Sequence, residues 1–163
     1  MKPKSLFVIC LILTIIWISI IYAFSAQPAK ESSQNSSGIV EWLIQILYPH
    51  YEELSESKQT QISDHWTWLV RKSAHAAEYA ILAILIYVTC VISNLKWAHQ
   101  IRICIALAGS IVYAATDELH QLFVQGRSGQ FKDVLIDAAG ALIGVFISQV
   151  IYQFIKYRTN ISK

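Results

Sequence analysis

Apolar residues gather into four long runs, and charged residues collect at one end of three of them. The first run, 6–24, holds 19 residues without a charge behind Lys2 and Lys4. About 20 apolar residues cross a bilayer, so this run predicts a membrane-spanning helix. A secretory signal is the competing reading, since Ala23-Phe24-Ser25-Ala26 loosely resembles a cleavage site. The apolar core is long for a signal and further spans follow, which favours an uncleaved first helix. Runs 79–92 and 103–116 hold 14 residues each and fall short of a bilayer alone. The earlier one must extend back through Glu78 and His75, the later one forward through Asp117 and His120. Run 134–154 is long enough but carries Asp137 near its start. The expectation is an all-α fold in one domain, 1–163, with spans near 6–24, 73–93, 103–123 and 134–155.

Between the first two spans lies an external segment, 25–72. Residues 25–37 read as a polar linker, because Pro28 and the serines argue against a continuing helix. Apolar positions 39, 40, 43, 44, 46 and 47 predict a short amphipathic helix ending before Pro49. Residues 51–69 predict a second one, with Trp66 and Trp68 at the membrane interface. The connection 94–102 is short, and 121–133 is a glycine-containing loop.

Composition agrees: 55% hydrophobic, 15% charged and a positive mean hydropathy describe a small polytopic membrane protein. The net charge of +2 forms no basic stripe, so nucleic acid is not an expected partner. Cys10, Cys90 and Cys104 lack CxxC spacing and read as buried free thiols.

Chain direction then assembles the charges. The second span begins with them, the third ends with them and the fourth begins with them, so alternating spans bring all three sets to one membrane face. Lys2, Lys4, Lys96, Arg102, Lys156, Arg158 and Lys163 lie on the other side, against Lys30, Lys58, Arg71, Lys72, Arg127 and Lys132. Basic short flanks mark the cytoplasm. Both termini are therefore expected there, in the cytoplasmic membrane, with the polar cluster on the extracytoplasmic side.

Helical spacing sorts the cluster. Arg71, His75 and Glu78 share one face, as do Asp117, His120 and Gln121. Glu118 points about 100° away. Asp133 and Asp137 continue into Gly140 and Gly144, a GxxxG stripe that lets helices approach closely. Ala106, Ser110, Tyr113 and Asp117 form a similar small, polar stripe. Ionisable groups at membrane depth are costly and suggest function.

Three readings of the cluster stay open. His75, Glu78, Asp117 and His120 offer nitrogen and oxygen donors for a divalent metal, with Asp133 and Asp137 completing a polar pocket. Arg71, Lys72 and Arg127, joined by Lys132, offer cations to an anionic head group. The structural reading pairs Arg71 with Glu78 or Asp117, and Arg127 with Asp133 or Asp137. Lys72, Glu118 and Lys132 are then solvated flanks, and His50, His65 and His99 interfacial or exposed.

Several separate motifs carry a resemblance. They are Phe24-Ser25-Ala26-Gln27-Pro28, Val70-Arg71-Lys72-Ser73-Ala74-His75-Ala76-Ala77-Glu78-Tyr79 and Asp117-Glu118-Leu119-His120-Gln121. Gly126-Arg127-Ser128-Gly129 and the run from Asp133 through Asp137 to Gly140 complete the set. In this order they resemble the VanZ-like family, whose namesake is associated with low-level teicoplanin resistance. The resemblance implies a cell-envelope role whose partners are membrane lipids, a lipid-linked cell-wall precursor or a lipoglycopeptide. A metal-dependent membrane enzyme acting on a phosphate-containing lipid is the alternative. A small transporter or proton relay is third, since no half-to-half repeat is visible.

Overall fold

The computed structural model describes residues 3–161 apart from 94, 96 and 97. Lys2, Lys96 and Lys163, which entered the charge balance above, lie outside the described residues. Helices α1 (Pro3–Ser25), α2 (Ala29–Leu47), α3 (Glu56–Ile92), α4 (His99–Gln121) and α5 (Phe131–Ile161) follow one another, with a single 3-10 turn at Tyr51–Glu53. No strand occurs among the described residues. Helices α1, α3, α4 and α5 are long and apolar enough to cross a membrane. The chain is an all-α, multi-pass membrane protein.

Two expectations about the external segment are corrected. The polar linker over 25–37 is helical from Ala29 onward, because α2 begins directly after Pro28. Pro28, with φ −54° and ψ 150°, ends the turn and needs no N–H there. The serines do not break the helix: Ser33 donates to the Ala29 carbonyl and Ser36 to that of Ser33. These hydroxyls are satisfied inside the helix instead of competing with it. Burial of Ser36, Val40 and Ile44 against α3 then outweighs a weak local propensity.

Nor is there a separate helix over 51–69. After the 3-10 turn, α3 starts at Glu56 and runs unbroken through the second span. Its 37 residues contain no glycine or proline, so nothing stops it. Gln59 fixes its start, donating to the Tyr51 and Leu54 carbonyls while its own carbonyl accepts from the Tyr51 hydroxyl. At 1.5 Å per residue, these 37 residues measure about 55 Å. A hydrocarbon core is about 30 Å thick. The amino-terminal part of α3 therefore projects beyond one face, paired with α2.

Helix α3 is the central element, packed on α5, α1, α4 and α2. Tyr79 and Leu82 are fully buried with Ile21 of α1 and Ala114 of α4. One layer further on, Ala83 and Tyr87 pack with Ala106, Ala141 and Val145. Side chains tie helices through carbonyls: Trp17 Nε1 donates to Glu78 O at 2.9 Å, and the Tyr113 hydroxyl to Ile18 O at 2.9 Å. A Cβ at Gly140 would overlap the Ala76 carbonyl, and one at Gly144 that of Ala80. The GxxxG stripe thus works within the chain, seating α5 on α3 in a parallel register.

Cys10 and Cys90 are buried free thiols, as expected, whereas Cys104 is exposed. His50 and His65 are exposed, although His50 pairs with Glu53 at 3.1 Å. His99 departs from expectation: it is half-buried and stacked on Tyr152, ring centroids 5.3 Å apart.

Candidate functional site

The close seating of α5 on α3 sets the site's geometry. It faces the first turns of α5 with Lys72 and His75, while the end of α4 and the loop 122–130 close the other side. Together they enclose a cavity of about 440 Å³ lined by Arg71, Lys72, His75, Glu118, Arg127 and Asp133, among others.

The acids here are largely engaged. Lys72 pairs with Asp133, both mostly buried, so Lys72 is not the solvated flank its position predicts. Asp133 sits in the first turn of α5, where the helix dipole favours an anion. Glu118 is also no flank: it is buried, and its carboxylate accepts the Gln130 backbone N–H at 3.0 Å. The loop folds back over it closely enough that a Cβ at Gly129 would strike the Glu118 carbonyl. Asp117 is buried and accepts from Gln121 Nε2 at 3.2 Å.

The arginines are placed differently from expectation. Arg127 bonds neither Asp133 nor Asp137. Its Nε donates to Gln27 O and its Nη2 to Phe24 O, each at 2.8 Å. Those carbonyls lie at the end of α1 and just past it, where the chain leaves acceptors unsatisfied and favours a cation. The loop is held there also by Ala29 N–H to Gln125 O at 3.2 Å, and by Gly126, whose φ of +75° suits glycine. Among the described residues neither Arg71 nor Arg127 makes an ion pair, so the expected Arg71 pairing with Glu78 or Asp117 is absent. Burial, and then the neighbouring Arg71, lower the Arg127 pKa from its ordinary value. Asp117, Glu118 and Glu78 act on Arg127 in the opposite sense, so the two guanidiniums share the site with carboxylates, though neither is ion-paired to one.

Arg71 Nε, Arg127 Nη1 and His75 Nδ1 have no hydrogen-bond partner among the described residues. His75 Nδ1 lies 3.4 Å from Glu78 Oε2, close enough for an ion pair but too long for a good hydrogen bond. Both oxygens of Asp137 are buried without a partner, beneath the cavity and not on its wall.

The metal set does not assemble. His120 packs tilted against Tyr22, ring centroids 4.8 Å apart, while Asp117 bonds Gln121. Among the described residues no group of three His, Cys, Asp or Glu side chains is gathered to hold a metal ion.

The model of the VanZ/LLP1 family matches residues 9–152, which takes in every helix and the whole cavity. The chain belongs to the VanZ/LLP1 family. No curated protein and no solved structure matches it. In this VanZ/LLP1 chain, spacing arguments missed Glu118 and the carbonyls of Phe24 and Gln27. Glu118 lies off the inward stripe of α4, and only the loop's return over it turns that position inward. The carbonyls carry no side-chain signal, though an unfinished helix end beside Pro28 advertises them.

Proposed function

We propose that this VanZ/LLP1 protein binds the phosphate-bearing head group of an envelope lipid or lipid-linked cell-wall precursor, and thereby protects against lipoglycopeptides such as teicoplanin. One observation carries the reading. Arg71 and Arg127 line the same cavity from different segments, each with a buried N–H group that has no hydrogen-bond partner among the described residues, while the Asp133 charge is met by Lys72. An arginine fork suits a phosphate oxygen pair. The cavity lies on the extracytoplasmic side, with both termini cytoplasmic, where such precursors display their head groups. Basic residues Lys4, Arg102, Lys156 and Arg158 at the opposite ends of the helices support that orientation.

A membrane enzyme is the second reading. The His75–Glu78 pair lines an adjoining cavity that shares Arg71 and Arg127, and supplies the groups for acid–base chemistry on a bound phosphate ester.

The test is lipid binding by purified protein in zwitterionic nanodiscs, together with growth under teicoplanin. Arg71→Gln should weaken binding of an anionic lipid about tenfold, the loss of one charged hydrogen bond of roughly 1.5 kcal/mol. Residual binding should weaken further with salt. A His75→Ala variant that keeps binding but loses lipid turnover supports the enzyme reading. Unchanged binding in Arg71→Gln at normal abundance overturns the head-group reading.

A further inference from the structure

Arg71, His75 and Arg127 line two cavities and stand between them. On one side is the larger cavity, whose far wall includes Ser128, Gln130 and Lys132. On the other is a smaller one of about 220 Å³ between the α1–α2 corner and α3. Phe24, Ile39, Val70 and Ala74 form much of its wall. Two of the polar side chains there are bonded: Asn35 Nδ2 donates to Gln27 Oε1 at 2.9 Å, and Ser36 to the Ser33 carbonyl within α2 at 2.9 Å. Phe24 and Ile39, 47% and 55% exposed, carry the apolar wall out to the molecular surface.

Resting on the head-group reading above, we infer that the two cavities are one site for an amphiphile. Its phosphate sits at the Arg71–His75–Arg127 divide, its polar substituent fills the larger cavity, and its apolar chain leaves through the smaller one. The chemistry of each compartment matches its portion of the ligand. An ionised phosphate at this depth needs several donors, and the Arg71 and Arg127 guanidiniums, each with a buried N–H that has no partner among the described residues, both line the divide. Chain carbons need apolar walls, which Phe24, Ile39, Val70 and Ala74 supply, although Glu78 also lines this cavity. That carboxylate stands 3.4 Å from His75 Nδ1, which leaves the ring's other nitrogen for the phosphate. Small phosphate ions and phospholipids share the divide but not the chain exit.

The test uses full-length protein in phosphatidylcholine nanodiscs with three probes. Inorganic pyrophosphate has no chain, dioleoyl phosphatidic acid has chains without a substituent, and dioleoyl phosphatidylglycerol has both. Wild type should hold either lipid at least tenfold more tightly than pyrophosphate. Ala74→Phe, filling the smaller cavity from an exposed position, should abolish that advantage and leave pyrophosphate affinity unchanged. Ile39→Asn at the exposed rim makes the exit polar without adding charge and should act in the same direction, covering any misfolding of the first variant. Ser128→Trp should weaken phosphatidylglycerol severalfold more than phosphatidic acid. Equal losses for all three probes in Ala74→Phe and Ile39→Asn, or no loss for any, overturn the two-compartment site while pyrophosphate binding upholds the anion site. Failure of wild type to bind any of the three overturns the head-group reading itself, and this one with it.

Discussion

Glycine-to-alanine replacement should change the sign of its effect between two helices of this protein. In a solvent-facing helix the change stabilises by about 1 kcal/mol, because alanine loses less chain entropy on ordering. Gly38 lies within α2, and a Cβ there meets nothing within 4 Å. Gly38→Ala should therefore stabilise by nearly that full amount. Gly140 is also helical, but its added Cβ would overlap the Ala76 carbonyl of α3. The obstacle is backbone, which cannot swing aside, so the two helices must part. Overpacking costs about 1–3 kcal/mol, occasionally more, and a backbone clash belongs at the upper end. Against the propensity gain, the net loss is roughly 2 kcal/mol. For a chain of this length that is a fall of roughly 4–8 °C in Tm, against a rise of about 2–4 °C for Gly38→Ala. Parting α3 from α5 should also lengthen the Lys72–Asp133 pair and weaken anionic lipid binding, which Gly38→Ala leaves alone. The assay is thermal unfolding of both purified variants in one detergent, with lipid binding measured in parallel. A Gly140→Ala protein as stable as Gly38→Ala would refute the close α3–α5 seating on which the cavity rests.

Other outcomes follow from the same contacts. Glu118→Ala strands the Gln130 N–H at the start of α5 and should cost about 1–3 kcal/mol, whereas Glu118→Gln keeps an acceptor and should cost less; equal unfolding curves count against that cap. A double-mutant cycle on Lys72→Met and Asp133→Asn should show a coupling of about 0.5–3 kcal/mol in stability, and strict additivity contradicts the pair. Arg127→Lys loses the fork that spans Phe24 O and Gln27 O, so protease cutting near the α1–α2 corner should accelerate; unchanged cutting argues against the clamp. Ser128→Cys, at an exposed position of the same loop, in a background lacking the three native cysteines should react with an impermeant thiol reagent on intact cells, and reaction only after lysis reverses the orientation.

The spans were legible because bilayer thickness demands a length, and two apolar runs reach it only by taking in His75, Glu78, Asp117 and His120. Alternating topology then brought Lys72 and Asp133 to one face without any knowledge of packing. The glycine stripe at Gly140 and Gly144 correctly oriented Asp137 inward. What escaped depended on partners distant in sequence. The serines of α2 look like linker residues until Val40 and Ile44 find α3 to bury against. A separate helix over 51–69 is expected because hydropathy marks where a helix becomes apolar, not where it begins, and only the lack of a breaker after Glu56 hints at the longer rod. Arg127 was recognised as important but assigned a carboxylate partner. Backbone carbonyls compete equally for a guanidinium, and they have no letter in the sequence.

The unbroken course of α3 has a mechanical consequence. A rod without glycine or proline between Glu56 and Ile92 has no hinge, so it tilts as a unit. Its tightest contact lies partway along, where Ala76 and Ala80 rest on the glycines of α5. The outer stretch that carries Arg71 and His75 is thus one piece with the stretch seated on α5, and the cavity's cations are held in fixed register with the membrane core.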